Sequence, residues 1–255
     1  MEYAHPMPTV SVLSASLIPA GVEEVTRYLD LAGVCSCALL GGAVARAAGL
    51  DLFGFLVVGV ISGLGGGMIR DVLLQHGTPV ALTDYTYLTV AFAGAAVAFF
   101  IPFGEQSWNR LFVVLDAAVI GFWAVAGANK TLAVGLGWLP AVLLGTVTAV
   151  GGGALRDVVL GRVPAVFGGN GLYATVALAV AAVTVLCAYL GVPLAGVCLG
   201  VGLALVFRLS AVRHDWNLPT GLDWRPHSAL ASLTRRRLGP GARREARRRS
   251  REEGR

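Results

Sequence analysis

Between Arg162 and Arg208 the chain runs for 45 residues, 163–207, without a charged side chain. A run of that kind belongs in lipid, where about 20 apolar residues make one helical crossing. It is too long for a single crossing, and Gly191-Val192-Pro193 supplies the break, because proline cannot continue a helix. Two spanning helices are therefore predicted, over 172–190 and 194–211. Composition agrees: of 255 residues 56% are hydrophobic and 14% charged, against roughly a quarter charged in soluble domains. A soluble globular enzyme, a disordered chain and a disulfide scaffold are excluded. What remains is an all-α, polytopic membrane protein.

Five more spans precede these two. They cover 28–48, ended by Arg46 and Gly49; 52–74, with Arg70 and Asp71 near the far end; 85–103, stopping at Pro102 and Gly104; 110–130, opened by Trp108 and containing Asp116; and 138–160. The total is seven. Arg46, Arg110 and Arg162 fall in or beside loops of one side, whereas the loops near 76–84, 131–137 and 191–193 hold no Lys or Arg. That asymmetry predicts a cytoplasmic C-terminus and an outside N-terminus in the cell (plasma) membrane. Residues 1–212 carry seven arginines and one lysine against ten acids, net −2, and residues 213–255 carry twelve arginines against five acids, net +7. The basic character is a property of the tail. Its runs Arg235-Arg236-Arg237 and Arg243 through Arg251 suit anionic lipid headgroups, or a disordered topology determinant, better than nucleic acid. The Thr9–Ala20 stretch is too short to span and has neither a basic leader nor a clear cleavage site, so no cleaved signal peptide is expected.

Chemistry of the enzymatic kind is not written in the sequence. Cys35, Cys37, Cys187 and Cys198 lie in apolar runs as small packing residues, and His5, His76, His214 and His227 sit in termini and loops. No nucleotide loop, metal-ligand spacing or nucleophile elbow is present, so no catalytic residue, metal or cofactor is expected.

The chain repeats itself. Gly65-Gly66-Gly67-Met68-Ile69-Arg70-Asp71-Val72 returns as Gly151-Gly152-Gly153-Ala154-Leu155-Arg156-Asp157-Val158, an offset of 86 residues. The same offset carries Leu29-Asp30 onto Leu115-Asp116, Gly41 onto Gly127, Gly59 onto Gly145, and Tyr87-x-Thr89 onto Tyr173-x-Thr175. Coincidence does not hold one register across five separated matches. The organisation that follows is an N-terminal extension (1–23), two three-helix repeats (24–106 and 107–191), a seventh helix (192–212) and a basic tail (213–255). Because three is odd, the second repeat enters the membrane from the opposite side, the inverted arrangement recurrent among permeation proteins.

The repeated motif permits two roles. Three consecutive glycines each weaken a helix by about 1 kcal/mol relative to alanine, so the triplets at Gly65–Gly67 and Gly151–Gly153 are expected to interrupt their helices and offer main-chain groups to a permeating ion. Alternatively they let helices pack closely. Adjacent residues on a helix do not face one another, so Arg70 and Arg156 are expected to pair away from Asp71 and Asp157, with Asp30 and Asp116 as intramembrane partners. Those pairs could lock the bundles or serve the site. Lys130, the only lysine, has Val44 at the equivalent position of the first repeat. It either snorkels outward or lines the path.

The doubled Gly-Gly-Gly-x-x-Arg-Asp, each copy preceded by a Leu-Asp helix and followed by a proline-containing loop (Pro79, Pro164) and a Tyr-x-Thr helix, resembles the bacterial branch of the trimeric intracellular cation channels. Related sequences also carry the label of glycine transporters. The resemblance covers about residues 24–210. It implies a homotrimer whose protomers each hold a pore for monovalent cations, chiefly potassium, with helices two and five kinked at the triplets and Arg70, Asp71, Arg156 and Asp157 beside them. Lys130 resembles the helix-four lysine that animal members place near their pore and phosphoinositide site. Those members follow it with Glu-Val, where this chain has Thr131-Leu132. A secondary transporter of a small zwitterion such as glycine is the alternative reading.

Overall fold

The computed structural model describes residues 19–101, 105–167, 172–214 and Trp216. The Thr9–Ala20 stretch up to residue 18, the side chains of Trp108 and Arg110, and the tail from 217 onward lie outside the described residues. Among the described residues there are seven long helices: α1 (Ala20–Ala47), α2 (Leu52–Leu74), α3 (Tyr85–Phe100), α4 (Glu105–Ala133), α5 (Trp138–Val159), α6 (Tyr173–Tyr189) and α7 (Pro193–Arg213). A one-turn helix, Val80–Thr83, precedes α3, and a 3-10 turn, Ala165–Phe167, precedes α6. No strand occurs among the described residues. Five helices, α1, α2, α4, α5 and α7, are long and apolar enough to cross a membrane, while α3 and α6 are apolar but have 16 and 17 residues.

The helix ends follow local chemistry. Asp51 caps α2 by accepting from the Gly54 amide at 2.8 Å, and Asp84 caps α3 by accepting from Thr86 N at 3.0 Å. Gly49, in the turn after α1, adopts φ +68°, where a side chain would be strained. Helix α3 ends before the predicted residue 103. Ile101 is extended (φ −99°, ψ 106°), the conformation forced on a residue that precedes proline. Arg46 closes the same end from outside: its Nη2 donates to the carbonyls of Ala98 and Phe99 at 2.6 and 2.7 Å. Helix α1 starts eight residues before the predicted span, because Glu23, Glu24 and Arg27 are good helix formers that hydropathy leaves out.

Within each repeat the three helices pack mutually, α1 with α2 and α3, and α4 with α5 and α6. The repeats join through α2 against α5 and α1 against α4, and α7 lies on α4 and α6. This is an all-α membrane fold of two inverted three-helix repeats and a seventh helix. Alanines at zero exposure, among them Ala38, Ala91, Ala124, Ala128 and Ala177, let the helices approach closely. Large side chains such as Phe53, Val72, Leu143, Leu186 and Val206 point outward, where lipid covers them.

The expected interruption of α2 and α5 does not occur. Both helices remain α-helical through Gly65–Gly67 and Gly151–Gly153. Giving up backbone hydrogen bonds in a membrane costs several kcal/mol per group, more than the glycine propensity penalty of about 1 kcal/mol. The triplets instead let two backbones touch. A Cβ on Gly66 would fall on the Thr148 carbonyl, and one on Gly152 on the Ser62 carbonyl. Gly65 and Gly151 face the opposite helix at the same crossing.

Candidate permeation site

Two charged cavities flank this crossing. Helices α2 and α5 are three crossings apart and therefore antiparallel, so their Arg-Asp ends open toward opposite membrane faces.

The first cavity, about 290 Å³, is built by α1, α2, α3 and α4 and is lined by Glu23, Arg27, Asp30, Arg70, Tyr87 and Lys130. Arg70 is 1% exposed. Its Nε donates to Asp71 Oδ1 at 2.8 Å, and its Nη2 reaches Asp30 Oδ2 at 3.5 Å. The Tyr87 hydroxyl donates to that same Asp30 oxygen at 3.3 Å. Lys130 Nζ donates to Asp71 Oδ1 at 2.8 Å, and Asp71 Oδ2 accepts from the Val80 amide at 3.0 Å, tying the loop after α2 back to its helix. Lys130 is thus turned into the cavity and ion-paired.

The second cavity, about 250 Å³, is lined by Cys37, Asp116, Arg156, Asp157, Tyr173 and Arg208 among others. Arg156 Nε donates to Asp157 Oδ1 at 2.8 Å, and Asp157 Oδ2 accepts from the Ala165 amide at 3.1 Å. Asp116 pairs with Arg208 of α7, through Nε at 3.2 Å and Nη2 at 3.0 Å. The Arg208 guanidinium also lies 5.1 Å over the Tyr173 ring.

The pairing differs in part from the sequence expectation. Each arginine does bond the aspartate next to it, because Nε lies near the backbone and a long side chain folded sideways reaches a neighbouring carboxylate. Asp30 does partner Arg70. Asp116 binds Arg208 rather than Arg156. The ion-pair cluster of each cavity therefore joins two cations and two carboxylates: Arg70 and Lys130 with Asp30 and Asp71, Arg156 and Arg208 with Asp116 and Asp157. The repeat supplies three charges of each set, and the fourth comes from α4 in one and α7 in the other.

The third glycine of each triplet behaves differently from the first two. A Cβ on Gly67 would meet only Arg70 Nη2, at 3.6 Å, and one on Gly153 only Arg156 Nη2, at 3.8 Å. Gly153 lines the second cavity, and Gly67 lines a space of about 10 Å³ at the inner end of the first. So two glycines make the crossing and the third forms cavity wall beside an arginine. Sequence reasoning missed four residues of the site. Arg208 was visible as an intramembrane charge inside the predicted 194–211 span. Tyr87 and Tyr173 were seen as repeat markers but not as partners of Asp30 and Asp116. Trp123, 1% exposed, against Gly152 and lining the same small space as Gly67, carried no signal of its own.

Comparison with known proteins bears on this geometry. The profile of a family described as "Glycine transporter" matches residues 27–102 and 113–189, one segment in each repeat. A UPF0126 membrane protein of Deinococcus radiodurans is 37% identical over 129 residues, half of this chain and 59% of that protein's length. The UPF0126 inner membrane protein YadS of Escherichia coli K12 is 34% identical over 198 residues, which are 76% of this chain and 94% of YadS. Among solved structures, the trimeric intracellular cation (TRIC) channel orthologue of Rhodobacter sphaeroides superposes with a TM-score of 0.70 at 32% identity, covering 75% of this chain and 98% of that one.

Proposed function

This chain belongs to the TRIC family of membrane proteins, and from that premise we propose that it is a channel for monovalent cations, potassium and sodium, with one pore inside each protomer of a homotrimer. The observation that carries the proposal is the pair of charge-lined cavities, about 290 and 250 Å³, approaching the α2–α5 glycine crossing from opposite faces. In this reading Gly65–Gly67 and Gly151–Gly153 form the constriction. Arg70, Asp71, Lys130, Arg156 and Asp157 line its two approaches, and the Asp30 and Asp116 pairs hold the flanking helices in register. With cations and carboxylates balanced in the ion-pair cluster of each cavity, electrostatics does not set the sign of the ion. Support for a cation comes from the family.

The protein lies in the cell membrane with its N-terminus outside and its arginine tail cytoplasmic, beside anionic headgroups. Arg46 and Arg162 on one side, against loops bare of basic residues on the other, support that orientation. The test is reconstitution into proteoliposomes and planar bilayers with ion substitution. A non-saturating potassium current is expected, and the lack of potassium or sodium current at every voltage would refute the channel. A second reading, a carrier of a small zwitterion such as glycine, is favoured by the carboxylate and guanidinium set side by side in each cavity. Saturable glycine counterflow would establish it instead.

A further inference from the structure

We propose that the Trp123 indole is the plug that separates the two cavities, and that permeation requires it to leave its slot. The inference rests on the channel reading and adds to it the residue that closes the path. The repeat register places Trp123 of α4 at the position that Cys37 occupies in α1, 86 residues earlier. At that position the first half carries a small thiol and the second a large indole. Cys37 leaves the second cavity open beside it at about 250 Å³, whereas Trp123 leaves about 10 Å³ at the inner end of the first, room for a single water. The indole is wedged between helices of both repeats. A Cβ on Gly33 of α1 would land on its Nε1, and a Cβ on Gly152 of α5 would come within 3.2 Å of its Cζ3. Gly33 thus makes the slot, and Gly152 places the ring against the crossing, one residue from the Gly153 wall of the second cavity.

The same side chain is held by packing and not by a hydrogen bond. Its buried Nε1 has no hydrogen-bond partner among the described residues, and neither does Nη1 of Arg70, which borders the same small space. Burying an unpaired donor is unfavourable, so moving the ring breaks no hydrogen bond and lets the N–H reach water entering from the first cavity.

The experiment compares the parent protein with Trp123→Ala, and with Trp123→Leu should the alanine variant fail to assemble. Both are made in a background in which Cys35, Cys187 and Cys198 are alanine, leaving Cys37 as the sole thiol. Potassium flux into proteoliposomes is read alongside labelling of Cys37 by a cationic methanethiosulfonate added from the first-cavity side. The variant is expected to raise the flux severalfold and to speed Cys37 labelling severalfold from that side. A variant that assembles and melts like the parent, yet shows parental flux and parental labelling, overturns the plug while leaving the channel reading intact. Should neither protein pass potassium while Cys37 still becomes reachable, the channel reading falls and the plug stands, for another solute.

Discussion

Replacing Gly66 by alanine, and separately Gly67, isolates the energetics of the helix crossing. Both substitutions gain the same helix propensity, about 1 kcal/mol, so the difference between them is a packing term. At position 66 the new methyl would fall on the Thr148 carbonyl oxygen, 3.2 Å from the carbonyl carbon and 3.3 Å from Gly152 N. All of these are helical main chain, and none can move without pushing α2 and α5 apart. At position 67 it would meet only the mobile end of Arg70, at 3.6 Å. Overpacking of this kind costs about 1–3 kcal/mol. At about 2–4 °C per kcal/mol for a chain of this size, Gly66→Ala should melt about 2–12 °C below Gly67→Ala. Intrinsic fluorescence of the detergent-solubilised protein on heating reads the difference. The inverted repeat supplies an internal replicate, Gly152→Ala against Gly153→Ala, with Ser62 in the part of Thr148. If Gly66→Ala melts no lower than Gly67→Ala, the crossing is not held at backbone contact and the packing account of the triplets is wrong.

Other outcomes follow from the ion pairs and caps. Arg208→Met leaves Asp116 buried without its partner and should cost about 3–5 kcal/mol, largely recovered in the Arg208→Met/Asp116→Leu double variant, as thermal melting will report. Asp71→Asn shifts the first cavity from balanced to net positive. Single-channel potassium conductance should fall in dilute salt and recover toward the parent near 1 M, where the Debye length is about 3 Å. Arg46→Ala removes the donor to the last carbonyls of α3 and should cost about 1–3 kcal/mol, with faster hydrogen exchange confined to residues near Val97–Ile101. Hydrogen bonds from Thr86, then Arg27, hold the exposed Asp84 carboxyl below its ordinary value. A lowered folded-state value means its support for α3 is present above about pH 4, the unfolded range, and is lost as pH falls further. The melting difference between the parent and Asp84→Asn should therefore vanish in acid.

The hydropathy of this chain marks helix positions well where the ends are apolar. The predicted 52–74 span is α2 to the residue, and 138–160 misses the end of α5 by one. It fails where helices continue into polar turns, as at Glu23, Glu24 and Arg27, or where proline acts at a distance of one residue, as at Ile101. The repeat register made the two Arg-Asp motifs legible and pointed Arg70 at Asp30 correctly, but it pointed Arg156 at Asp116, which pairs with Arg208 instead. It was silent on Arg208, which lies beyond the second repeat, because a residue without a counterpart cannot be found by comparing halves. The glycine triplets misled for a different reason. Propensity describes an isolated helix, whereas a second helix in backbone contact rewards the missing side chains and keeps the hydrogen bonds intact.

Helices α3 and α6, one per repeat, span only about 24 and 26 Å at 1.5 Å per residue, while a typical hydrocarbon layer is about 30 Å thick. Lipid beside them must thin to match, and inversion sets the two shortfalls against opposite leaflets. A protein shaped like this carries a preference for shorter acyl chains. The stretch of the surrounding bilayer becomes a force on the helices that enclose each vestibule.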